Sequence, residues 1–77
     1  MKIKYVVTER NNAILLPSSM THKDFQRHGI RSAGFCRFDW NPEVGRWEAK
    51  CWGESVSLGI KSTPVEDERA VEFLLNN

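Results

Sequence analysis

From Gly34 to Ile60 polar and apolar positions alternate in three consecutive runs, each of which gathers its apolar residues on one side. In Phe35-Cys36-Arg37-Phe38-Asp39-Trp40 the set Cys36, Phe38 and Trp40 shares one face while Arg37 and Asp39 share the other, the period-two mark of a strand with one dry face. Asn41-Pro42-Glu43-Val44-Gly45 carries turn chemistry, because Pro42 holds the first turn dihedral and Gly45 is free to take a positive φ at the end. Arg46 to Trp52 then alternates again, with Trp47, Ala49 and Cys51 apolar. Gly53-Glu54 reads as a two-residue hairpin turn, and Ser55 to Ile60 as a third strand.

A register follows from these turns. If Gly45 closes a four-residue loop, Trp40 lies opposite Trp47, Phe38 opposite Ala49 and Cys36 opposite Cys51. The second turn then sets Cys51 against Val56, Ala49 against Leu58 and Trp47 against Ile60, so that nine apolar side chains share one surface. A one-residue slip would send a whole strand's apolar set to the wrong side. The same register sets Arg37 against Lys50 and Asp39 against Glu48, which is unfavourable for like charges across a ladder. A two-residue slip pairs Asp39 with Arg46 and Arg37 with Glu48, but denies Gly45 its turn role; the first register is preferred.

Outside this meander, Lys2 to Thr8 reads as a strand with Ile3, Tyr5 and Val7 toward the core, and Ala13 to Leu16 as a short strand stopped by Pro17. Glu9 to Asn12 is the polar break between them, giving an N-terminal hairpin. Between Met20 and Ile30 a short helix is expected, with Thr21 as N-cap, a Met20/Phe25 staple and Gly29 as a left-handed C-cap. A second helix starts at Thr63-Pro64-Val65-Glu66, with Thr63 as N-cap, Pro64 at the first helical position and Glu66 completing a capping box. Its apolar stripe is Ala70, Val71, Leu74 and Leu75, with Phe73 at the margin. Together these predict one small α+β domain spanning residues 1–77. An antiparallel sheet, formed by the N-terminal hairpin plus a three-stranded meander, carries two helices on one face in the order β-β-α-β-β-β-α.

Composition narrows the function classes. Eleven basic residues against ten acidic ones leave a net charge of +1, so nothing pulls the whole chain toward nucleic acid or membrane. Nine basic and five acidic residues lie in 1–51, and two basic and five acidic ones in 52–77, which makes the tail acidic and the body mildly basic. No apolar run approaches the ~20 residues of a membrane span, and a cytoplasmic location is expected.

Candidate chemistry is sparse. His22, His28 and Cys36 lack metal-ligand spacing, so no metal or cofactor is expected. Cys36 opposite Cys51 suits buried packing better than a disulfide or a nucleophile. No triad assembles around Ser55 or Ser57, no glycine-rich phosphate loop is present, and the chain reads as a non-enzyme. The reverse face of the meander remains, where Phe35 faces Trp52 among Arg37, Arg46 and Lys50, with Asp39 and Glu48 beside them. Aromatics ringed by mixed charge suit a protein-binding surface. The expected function is a non-enzymatic protein-interaction module of accessory or inhibitor type, binding a protein partner or self-associating through Phe35, Trp52, Arg37, Arg46 and Lys50. The alternative is a single-stranded nucleic-acid binder using the same face, against which Asp39 and Glu48 would repel phosphates. A third possibility is that the N-terminal hairpin or a second subunit simply covers Phe35 and Trp52.

Overall fold

The computed structural model describes residues 2–17, 19–22 and 29–77. Strands β1 (Ile3–Thr8), β2 (Ala13–Leu16), β3 (Ile30–Asn41) and β4 (Arg46–Trp52) form an antiparallel sheet in the order β2-β1-β3-β4. A separate two-stranded ladder joins β5 (Glu54–Ser55) to β6 (Ile60–Lys61), and α1 (Pro64–Asn76) ends the chain. The N-terminal hairpin turns as its polar break implies: Asn11 takes the left-handed conformation at φ 64°, and the Thr8 N–H donates to the Asn12 carbonyl.

The β3–β4 register is the one that the four-residue loop dictates, with Trp40 against Trp47, Phe38 against Ala49, Cys36 against Cys51 and Phe35 against Trp52. Gly45 sits at φ 66° and donates its N–H to the Asn41 carbonyl at 2.8 Å, closing that loop. Arg37 does face Lys50, and Asp39 does face Glu48.

One expectation of the element order is corrected, and another falls outside the described residues. Ser55 to Ile60 is not a third meander strand: the chain reverses within residues 56–59, where the Ser55 hydroxyl accepts the Leu58 N–H and the Gly59 N–H donates to the Ser55 carbonyl. Alternation through Ser55-Val56-Ser57-Leu58 was therefore that of a turn, and Val56 stands 86% exposed. Only one helix is found among the described residues; the short helix expected over Met20–Ile30 falls mostly on residues 23–28, outside them.

The core has two parts because β1 lies inside the sheet and is buried on both faces. Tyr5 and Val7 join Cys36, Ala49, Cys51 and Val71 on the helix side, with Phe38, Leu15, Ala70 and Leu75 packed around them. Val6, Leu16 and Ala33 form the second cluster on the opposite face, where Leu58 and Ile60 pack instead of joining the helix side. Trp40, assigned to the core by alternation, is 51% exposed. It lies beyond Ile3–Cys36, the last pair that β1 makes with β3. Past that point β3 and β4 continue as a two-stranded ribbon.

The helix lies along β4 and closes that edge of the sheet. The N–H groups of Trp47, Ala49 and Cys51 donate to Asn76 Oδ1, Glu72 Oε2 and Glu68 Oε2 at 2.8, 2.8 and 2.9 Å. The fit is geometric: four helical residues rise about 6 Å, and two strand residues advance about 6.6 Å. Because these three N–H groups point away from β3, the rungs Cys36/Cys51, Phe38/Ala49 and Trp40/Trp47 are non-hydrogen-bonded pairs, whose side chains come closest. Serving the edge rotates the helix from its expected position, so Leu75 packs on the core while Leu74 is 46% exposed.

Candidate interaction surface

The ribbon, together with the Phe35/Trp52 rung at its base where Phe35 still pairs with Lys4, presents on its outer face, away from α1, the residues that alternate with the core set. They come in four rungs, each a directly opposed pair: Phe35/Trp52, Arg37/Lys50, Asp39/Glu48 and Asn41/Arg46. Parity makes all four hydrogen-bonded pairs, the type with Cα atoms about 5.5 Å apart, which moderates the repulsion within the two like-charged rungs. Apart from Phe35 and Asn41, which are half-buried, these side chains are exposed.

Trp52 is 39% exposed and, with Arg37, Lys50, Cys51 and Glu68, lines a shallow hollow. Among the described residues neither Arg37 nor Lys50 lies in an ion pair, so two free cations stand beside that indole. Arg46 departs from expectation, since its guanidinium reaches round the edge to Glu72 at 3.7 Å. Phe35 is partly covered: the Lys2 ammonium sits 4.6 Å above its ring, and the His22 imidazole meets it edge-on at 5.8 Å. The N-terminal segment thus supplies contacts to Phe35 that local patterning could not reveal. Trp40 and Trp47 pack edge-to-face at 5.5 Å on the opposite side of the ribbon.

His22 is itself buried, and its Nε2 donates to the Gly34 carbonyl at 2.9 Å. A side chain on Gly34 would collide with the Trp52 carbonyl, so glycine is required where β4 leaves the sheet. His28 lies outside the described residues. Among the described residues no three His, Cys, Asp or Glu side chains are grouped to hold a metal ion.

The richest polar constellation lies elsewhere, beneath the start of α1, and sequence reading missed it. Fully buried Asp67 accepts hydrogen bonds from the Tyr5 and Ser32 hydroxyls and from the Thr63 N–H, the last at 2.7 Å. Arg31 approaches it at 3.4 Å and reaches Glu66 at the same distance. Asp67 rather than Glu66 therefore takes the Thr63 N–H, and the Thr63 side chain, expected as the N-cap, makes no capping hydrogen bond. The placement of Asp67 four residues before Val71, on the apolar stripe, was the available signal. Burial, reinforced by the bond to Asp67, pushes the Tyr5 phenol far above its ordinary range. Tyr5, Ser32 and Asp67 are sealed from solvent, so this network locks the helix onto β1 and β3 and offers no surface to a substrate.

Cys36 and Cys51 face one another as free thiols in the core. The hydrogen bond the two thiols share pushes Cys51 up, together with burial, and draws Cys36 down against its own burial; both side chains are buried away from solvent. Comparison of the chain with family models, with curated proteins and with solved structures returned no significant match.

Proposed function

We propose that the protein is a non-enzymatic interaction module that binds a protein partner through the outer face of the β3–β4 ribbon. The observation that carries this reading is Trp52, a large indole left 39% exposed beside Arg37 and Lys50, neither of which lies in an ion pair among the described residues. An exposed aromatic with adjacent cations is the composition of an interface anchor. Trp52 and Lys50 are both exposed on the ribbon, so Trp52→Ser with Lys50→Ser should leave the circular dichroism spectrum largely unchanged and abolish capture of the partner from native lysate. Undiminished capture by a folded double variant would overturn the proposal.

One observation favours a second reading, single-stranded nucleic-acid binding. Lys2 brings a third cation to the aromatic rung that already has Arg37 and Lys50 beside it. Stacking on Trp52 with phosphates on these cations would give an affinity for a mixed oligonucleotide that falls steeply with salt. Absence of binding at low salt would remove this reading and leave the first in place.

A further inference from the structure

The four outer rungs pair like with like: aromatic, basic, acidic, then Asn41/Arg46. Within one molecule that order is unfavourable, because opposite charges across a ladder would stabilise it and like charges do not. Between two molecules it is self-complementary. We propose that a second copy of this chain docks on the ribbon face to face with its strands reversed, about a twofold axis that crosses the ribbon between the basic and acidic rungs.

That operation leaves β3 over β3 and β4 over β4 while inverting the rung order. Arg37 then meets Asp39 of the second copy, and Lys50 meets Glu48 of the second copy. Trp52 comes opposite the Asn41/Arg46 rung of the second copy, whose Arg46 guanidinium stays engaged with Glu72 at the edge, and Phe35 comes opposite Asn41. Symmetry generates every pair twice, as an isologous contact requires. Facing sheets lie about 10 Å apart, a gap that an arginine or lysine and an opposing carboxylate fill between them. A self-paired register of this kind also explains a feature of the monomer, the lack of any ion pair to Arg37, Lys50, Asp39 or Glu48 among the described residues.

The ribbon is only two strands wide, so the contact falls below the roughly 800 Å² per partner of a standard interface, and association is weak and reversible. It is also strongly electrostatic. Its dissociation constant should rise by about tenfold or more between dilute buffer and half-molar salt, as the Debye length shrinks below the spacing of the rungs.

This inference rests on the reading of the ribbon face as an interaction surface, but the two can fail separately. Sedimentation of the full chain at low salt should show a monomer–dimer equilibrium. Arg37→Glu with Lys50→Glu should be monomeric, and so should Asp39→Lys with Glu48→Lys, because each variant opposes like charges across the axis. An equimolar mixture of the two should dimerise again, since every rung then meets its opposite. Zero-length carbodiimide coupling of the unsubstituted chain gives a readout independent of how the variants fold, and should link Lys50 to Glu48 between copies. A chain monomeric at low salt, a dimer that survives both double substitutions, or variants that fail to associate on mixing would each overturn the dimer. If partner capture still depends on Trp52 and Lys50 in that event, the interaction module stands without it.

Discussion

The residue that most constrains the molecule is Asp67, a fully buried carboxylate held by Tyr5, Ser32, the Thr63 amide and Arg31. Removing one donor from a buried carboxylate costs about 1–3 kcal/mol, so Tyr5→Phe should lower the stability measured by urea unfolding by about that amount. The same network sets an alkaline limit. Tyr5 has a folded pKa raised above its unfolded value of about 10. Its stabilising contribution is whole below that unfolded value and is lost as pH climbs past it, because the unfolded chain releases a proton that the native chain retains. Stability should therefore fall above about pH 10. Tyr5→Phe should remove that decline. Identical alkaline profiles in the two proteins would show that this phenol does not titrate with unfolding. Alternation assigned Tyr5 correctly to the core face, but nothing local to it could announce a partner 62 residues away.

At the scale of elements, the helix shows where patterning stops being informative. Its stripe of Ala70, Val71, Leu74 and Leu75 defines an apolar side, and hydrophobicity alone would centre it near Leu74. The structure centres it on Asp67, Val71 and Leu75, because Glu68, Glu72 and Asn76 must also reach the β4 edge. Val71→Ala should thus cost about 2 kcal/mol, whereas Leu74→Ala and Phe73→Ala should each cost less than about 1 kcal/mol. A larger loss for Leu74→Ala than for Val71→Ala would return the helix to the orientation that its hydrophobicity suggests. The β3–β4 hairpin, by contrast, was legible in full, since its turn residues, strand parity and opposed pairs are all set by neighbours in sequence. The outer rungs of the candidate surface were legible for the same reason. Arg46 reaching Glu72, and Lys2 and His22 covering Phe35, were not, because these contacts arise only when separate elements meet. The same holds for β5 and β6, where a serine-rich turn imitates strand alternation.

On the scale of the whole molecule, pairing β1 with β3 puts the N-terminal strand inside the sheet and leaves the ribbon to extend an elongated body of 38 × 24 × 17 Å. No periodicity specifies that junction, which is why the hairpins were readable and their assembly was not. The arrangement predicts a gradient of local stability that amide hydrogen exchange can read. Val6 and Val7, buried and flanked by strands on both sides, should exchange most slowly, and Asp39 and Glu48, paired only with each other, much faster. Ala49 and Cys51 provide the sharper test, because their N–H groups face an outer edge where unprotected strands exchange readily. Here each donates to a carboxylate of α1, and hydrogen bonds to charged groups contribute about 1.5–3 kcal/mol. Both amides should accordingly be protected. Glu72→Ala should raise exchange at Ala49, and Glu68→Ala at Cys51, by about tenfold or more, since each factor of ten corresponds to about 1.4 kcal/mol. Val6 should keep its rate in both variants, showing that the edge opened locally while the sheet stayed folded. If Ala49 and Cys51 already exchange at open-strand rates in the unsubstituted chain, α1 does not seal this edge, and β4 is free to pair with another strand.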